Sequence, residues 1–166
     1  MTFEEFISSK GKLIGSSSWM LIKQSDIDGF GKYTHDMEPM HNNSEWCEEN
    51  SPFGKTIAYG FQTISLLTHF MNSATGSLFE GTEDNLNFPL NYGFNRLRLI
   101  HPVKVNDQIR AHFVLIDTEE KSEGKLLSTL EVTIEIDGIE QPAMKCEWLV
   151  YWISGDARLT LSTASK

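Results

Sequence analysis

The chain has 166 residues, enough for one compact domain with a sizeable core, and its 40% hydrophobic and 22% charged residues set it apart from disordered sequences. A net charge of −9 without any run of Lys or Arg argues against a nucleic-acid partner, and an anionic ligand would need a few locally gathered cations. Two widely separated cysteines, Cys47 and Cys146, with neither a CxxC pattern nor a secretory leader, fit free thiols in a reduced, cytoplasmic setting.

Along the chain, TFEEFISSKG is expected to form a short amphipathic helix closed by Gly11, with Phe3 and Phe6 as its apolar contacts. SSWMLIKQ (17–24) reads as a strand. From Ser25 to Pro52 the sequence is rich in Gly, Asn, Asp and Pro, so loop with at most short helical turns is expected. Within it, YTHDMEPMHNN (33–43) gathers His35, Asp36, Glu38 and His41 around Pro39.

TIAYGFQTISLLTHFMNSATG (56–76) repeats apolar residues at intervals of three and four, from Ile57 through Phe61, Ile64, Leu67, Phe70 and Met71 to Ala74. That spacing predicts one long helix, with Gly76 as its stop. No Asp, Glu, Lys or Arg occurs between Thr56 and Phe79, yet Gln62, Thr63, Thr68, His69 and Asn72 suit a helix enclosed by protein rather than lipid. No membrane span is expected.

The period then changes to two. NYGFNRLRLI (91–100), QIRAHFVLID (108–117), KLLSTLEVTIEID (125–137) and AMKCEWLVYWI (143–153) read as strands joined by short polar connections, and the tail LTLSTASK is expected to fray. These elements imply a single α+β domain over 1–166, an antiparallel β-sheet wrapped around one uncharged central α-helix. Trp46, Trp148 and Trp152 are assigned to packing.

Asp36 and His41, separated by four residues including Pro39, can in an irregular loop address one water, one group taking a proton while the other orients the water or returns a proton. Such a pair suits addition of water to, or its removal from, a double bond beside a carbonyl. The reaction also needs donors for charge on the carbonyl oxygen, and the backbone N–H groups at the start of the long helix, around Tyr59, Gly60 and Phe61, offer them. Turn residues, helix hydroxyls bonded to their own carbonyls, and surface cations are the plain alternatives for these side chains.

Three blocks in order, D-M-E-P-M-H (36–41), S-P-F-G-K-T-I-A-Y-G-F (51–61) and N-Y-G-F-N-R-L-R-L-I-H-P-V-K-V-N-D-Q-I-R (91–110), resemble the MaoC-like dehydratases, or (R)-specific enoyl-CoA hydratases, and most closely their nodulation protein N-like branch. The likeness runs over about residues 17–153. It implies a hot-dog fold, a homodimer or higher homo-oligomer, and a lyase acting on coenzyme A thioesters in fatty acid metabolism. In that reading Asp36 and His41 match the family's acid–base pair and Gly60 its backbone donor to the carbonyl. Thr68 falls where some members place a helix hydroxyl, with Ser65 as its neighbour, and Tyr59 and Arg96 join it as candidate substrate-binding residues. No metal or redox cofactor is expected, coenzyme A entering only as part of the substrate. This chain has His35 and Glu38 where the family commonly has Gly and Asn, and Tyr59 where a His often precedes the helix glycine.

Arg96 and Arg98, two apart on one strand, would share a face toward the coenzyme A phosphates, with Lys104 beyond them. Two rival functions remain: a hot-dog acyl-CoA thioesterase, disfavoured by the lack of a helix carboxylate, and a non-catalytic acyl-CoA-binding or assembly module.

Overall fold

A computed structural model describes residues 1–76 and 87–154. Along the chain run α1 (Phe3–Ile7), β1 (Leu13–Ser16), β2 (Met20–Leu21), α2 (Gln24–Thr34), α3 (Pro39–Asn42), α4 (Ser44–Asn50), α5 (Gly60–Ser65), α6 (Leu67–Thr75), β3 (Asn87–Leu99), β4 (Gln108–Ser122), β5 (Lys125–Ile136) and β6 (Ile139–Ser154). The tail and its expected fraying lie outside the described residues.

The long strands form because their residues alternate between two faces. Ile109, Ala111, Phe113 and Leu115 of β4, Leu130, Val132, Ile134 and Ile136 of β5, and Cys146, Trp148, Val150 and Trp152 of β6 all turn inward and are buried. Each such large apolar side chain contributes about 1.5–3 kcal/mol by leaving water. The indole N–H groups of both buried tryptophans are satisfied, Trp148 donating to Asn91 Oδ1 at 3.1 Å and Trp152 to Ser128 Oγ at 2.7 Å.

All pairings in the six-stranded sheet are antiparallel, in the order β1-β4-β5-β6-β3, with β2 also on β4. The sheet therefore begins at Leu13, ahead of residue 17, and Phe6 of α1 packs into its core. Leu67, Phe70 and Met71 of α6 press into the same core.

Three expectations need correction. Residues 17–24 contain only the two-residue β2. The supposed loop after Ser25 holds the 11-residue α2, started by the Asp26 carboxylate accepting from Lys23 N–H at 3.1 Å and ended by His35 in the left-handed region at φ 60°. The central helix starts at Gly60 rather than near Thr56 and is interrupted at Leu66, where the Ser65 hydroxyl bonds back to the Gln62 carbonyl at 2.7 Å. Nor is it enclosed all round among the described residues: Phe61, Ser65, Thr68 and His69 lie on an exposed face.

Residues 56–59 are extended instead because they are claimed from both edges. Ile57 bridges to Lys104, with Ala58 N–H to Val103 O at 2.8 Å and Val105 N–H to Thr56 O at 2.9 Å. On the opposite edge, Ile57 N–H donates to Met40 O at 3.1 Å. Among the described residues no helix is long and apolar enough to cross a membrane.

Candidate active site

The segment held between Met40 and Lys104 forms part of a cavity of about 330 Å³, toward the small end for small-molecule sites. His41, Gly60, Thr63 and His101 bring polar groups to it, while Leu99, Ile100 and Ala143 supply apolar wall. Pro39 at the first turn of α3 starts the short helix that carries His41 inward. Gln24 steadies it from α2, donating to the His41 carbonyl at 2.8 Å while accepting from the Thr56 hydroxyl at 2.5 Å.

His41 is 5% exposed, and its Nδ1 lies 2.7 Å from the Ile57 carbonyl oxygen. A carbonyl can only accept, so Nδ1 carries the hydrogen and Nε2 holds the lone pair of the neutral ring. One face of the imidazole stacks on Tyr59 at 3.8 Å between centroids.

Tyr59 links the ring to Asp36. Its hydroxyl donates to the Asp36 backbone carbonyl at 2.5 Å and accepts from Asn42 Nδ2 at 2.8 Å. Gly31 makes room for this contact: a Cβ there would overlap the Tyr59 hydroxyl and sit 2.7 Å from Asp36 O. The Asp36 carboxylate itself is exposed, with Oδ1 accepting from Glu38 N–H at 3.3 Å, and it is outside the cavity lining. Among the described residues no hydrogen bond or ion pair joins it to His41. The two groups sit at opposite ends of one tyrosine.

Gly60 opens α5 in the cavity wall, and a Cβ at this position would overlap Leu99 Cδ1. Tyr59, expected at the ligand, is 4% exposed with its hydroxyl already engaged by protein. Thr68 and Ser65 lie on the exposed side of the helix, and Thr63 is the helix residue with a hydroxyl that reaches the cavity.

Arg96 is outside the cavity, paired with Glu147 at 3.1 Å, and its φ of 51° falls where β3 slips register against β6, so it does not simply share a face with Arg98. Lys104 donates to Phe53 O at 3.0 Å. Both cysteines are buried free thiols. Burial, then the nearby Glu147 charge, pushes Cys146 up to about 12, and burial also raises Cys47.

Gln24, Gly31, Thr63 and His101 were not singled out by sequence. Only His101 had a local signal, sitting next to Pro102 inside the third quoted block.

The sequence profile of the MaoC-like domain family matches residues 6–136. The chain belongs to the MaoC-like family. It is 37% identical over 139 residues to nodulation protein N of Rhizobium leguminosarum bv. viciae, covering 84% of this chain and 83% of that one. It is also 30% identical over 156 residues to 3-hydroxyacyl-thioester dehydratase Z of Mycobacterium tuberculosis, covering 92% and 99%.

Among solved structures, the MaoC-like dehydratase from Rhodospirillum rubrum superposes with a TM-score of 0.72 at 15% identity, over 92% of this chain and 97% of that one. The (R)-hydratase from A. caviae involved in PHA biosynthesis gives 0.64 at 19%, over 82% and 93%. At such low identity these two speak to the fold, and the α+β hot-dog architecture of this MaoC-like chain agrees with them.

Proposed function

We propose that the protein is a hydratase or dehydratase interconverting trans-2-enoyl and (R)-3-hydroxyacyl thioesters of coenzyme A. The observation that carries this reading is the His41 ring in the cavity wall, its Nδ1–H committed to a carbonyl and its Nε2 left basic, in a cavity shared with Gly60. For Asp36 and His41 to share the water, the exposed Asp36 side chain has to turn toward the cavity; as the water oxygen bonds C3, one group then takes its proton and the other supplies a proton to C2. In between, the double-bond electrons move onto the thioester carbonyl oxygen, held by the Gly60 N–H. Dehydration reverses each transfer. Arg96, with its side chain 84% exposed beside Glu147, serves the phosphates of coenzyme A.

A coupled hydration assay across short, long and branched enoyl-CoAs tests this. Asp36→Ala and His41→Ala should each lose most turnover while keeping the fold by circular dichroism. An Asp36→Ala protein as fast as its parent removes Asp36 from the mechanism.

A second reading, acyl-thioester binding without turnover, draws on the exposed Asp36 carboxylate and its lack of contact with His41. Calorimetric binding with no product over hours would favour it.

The partner is a second copy of this chain. Among the described residues β3 ends the strand order, and Phe88 and Leu90, with Tyr92 stacked on Tyr151, lie along it at 48–67% exposure, an apolar row on an edge strand. The uncharged exposed face of the central helix fits the same explanation. Leu90→Lys combined with Tyr92→Lys should shift the sedimenting species to monomer, and an unchanged oligomer would exclude β3 from the interface.

A further inference from the structure

We infer that His101 is a substrate-positioning residue whose Nε2 accepts a hydrogen bond from the amide N–H lying two methylenes beyond the sulfur in coenzyme A-type thioesters. The inference rests on the thioester chemistry proposed for the same cavity.

Its basis is the extended segment 56–59, which runs into α5 at Gly60. In the antiparallel bridge between Ile57 and Lys104, Ile57 turns its own N–H and C=O to the far edge, where Met40 O and His41 Nδ1 meet them. His41 and the 103–105 segment therefore flank residues 56–58 from opposite sides. Gly60, where the chain turns into α5, and His101, just before the paired residues 103–105, both line the cavity.

A thioester with its carbonyl oxygen on the Gly60 N–H and its C2–C3 bond toward His41 sends its sulfur the other way, toward His101. The two bonds of the carbonyl carbon diverge, so one arm follows each flank.

The chemistry of the His101 ring suits that arm. Nδ1 lies 2.9 Å from the Pro102 carbonyl oxygen and so carries the hydrogen, leaving Nε2 as an acceptor in the neutral ring. A lone pair repels a carbonyl oxygen and attracts an amide N–H. Ile100 N–H and His101 N–H both point to the Ala143 carbonyl, at 2.8 and 3.4 Å, which ties the loop to β6. Thr63 directs its hydroxyl proton to the Tyr59 carbonyl at 3.3 Å, which leaves its oxygen as an acceptor on the helix side of the cavity, while His101 offers one from the 101–105 side.

Calorimetry with two saturated thioesters tests this without any turnover. S-butyryl-N-acetylcysteamine carries the amide, and S-propyl thiobutyrate lacks it. His101→Ala should weaken binding of the first by about five- to tenfold, the loss of one hydrogen bond, and leave the second unchanged. His101→Gln, which can place an amide oxygen near the former Nε2, should recover part of the loss. His101→Leu gives the same comparison at similar bulk if the Ala variant does not fold.

Equal weakening of both ligands, or of neither, overturns the inference. A parent that binds the amide-bearing thioester tenfold better yet hydrates no enoyl-CoA overturns the proposed reaction and leaves the role of His101 standing. A parent that binds neither thioester overturns both.

Discussion

His41 in the cavity wall and His112 on β4 are held in different ways. His41 gives one nitrogen to a backbone carbonyl and lays its face on Tyr59, leaving Nε2 without a protein partner among the described residues. His112, on the outward face of β4, has both nitrogens engaged: Nδ1 lies 2.6 Å from Ser16 Oγ and Nε2 3.2 Å from Glu135 Oε1. Glu135 is held in turn by Arg110, whose guanidinium lies 4.4 Å from the Trp19 ring centroid. A side-chain trio resembling a catalytic relay thus sits outside the cavity that His41 lines, with no nitrogen to spare. What separates the two imidazoles is an uncommitted nitrogen, which the proposed reaction requires of His41.

The largest expected effect tests that contrast directly. His41→Ala should lower turnover by about 10²–10⁴-fold, the usual share of a positioned acid–base group, whereas His112→Ala should leave kcat within about twofold, since nothing it touches reaches the cavity. Comparable losses in both, measured with an enoyl-CoA that the parent hydrates, would erase the distinction.

Next come the tethers on the cavity side. Gly31→Ala places a methyl against the Tyr59 hydroxyl and the Asp36 backbone, which cannot both stay in place. It should cost about 1–3 kcal/mol of stability and depress kcat more than it raises KM. Tyr59→Phe removes the hydroxyl but keeps the stack on His41, leaving the Asp36 carbonyl and Asn42 amide to find other partners at about 1–2 kcal/mol. Chemical denaturation with paired kinetics reads both. A Gly31→Ala protein indistinguishable from its parent would mean that the hydroxyl contact does not organise the loop.

The smallest effect belongs to the outer face. Burial pushes the Glu135 carboxyl up, but its hydrogen bonds to Arg110 and His112 and their charges outweigh this and hold it below the ordinary Glu range. A lowered carboxyl favours the folded state once it is ionised, so this contribution is complete above the ordinary Glu value and fades as pH falls through the lowered one. The gap in melting temperature between the parent and Glu135→Gln should therefore narrow from about pH 6 to about pH 3. A gap that widens on acidification would mean that the trio does not hold the carboxylate.

The same division governs what could be read from sequence. The inward residues of β4, β5 and β6 announce their strands because alternation is local and the inward positions are apolar apart from Ser128, which meets the Trp152 indole. Helix α2 was hidden because Gly29 and Gly31 lower its intrinsic preference, while what holds it is distant: Phe30 packs 5.2 Å from Tyr59, whose hydroxyl fills the space at Gly31. The start of the central helix was misplaced because Ile57 and Ala58 are apolar in either conformation, and partners at Met40 and Val103 decide for strand.

The site divides along the same line. Asp36, His41 and Gly60 stood out through the ordered blocks, the first two also through the chemistry of their side chains and Gly60 through its backbone N–H at a helix start. His101 and Thr63 reach the cavity through pairing of 56–58 with 103–105 and through the turn from Gly60 into α5, relations that no short window of sequence contains.

Since Tyr59 grips residue 36 by its main-chain oxygen, the position of that loop is insured against whatever side chain hangs from it. Exchanging the carboxylate for an amide, a hydroxyl or nothing leaves the handle in place. Such a slot lets the side chain at position 36, and with it the proton transfer proposed there, be altered by single substitutions without rebuilding the scaffold.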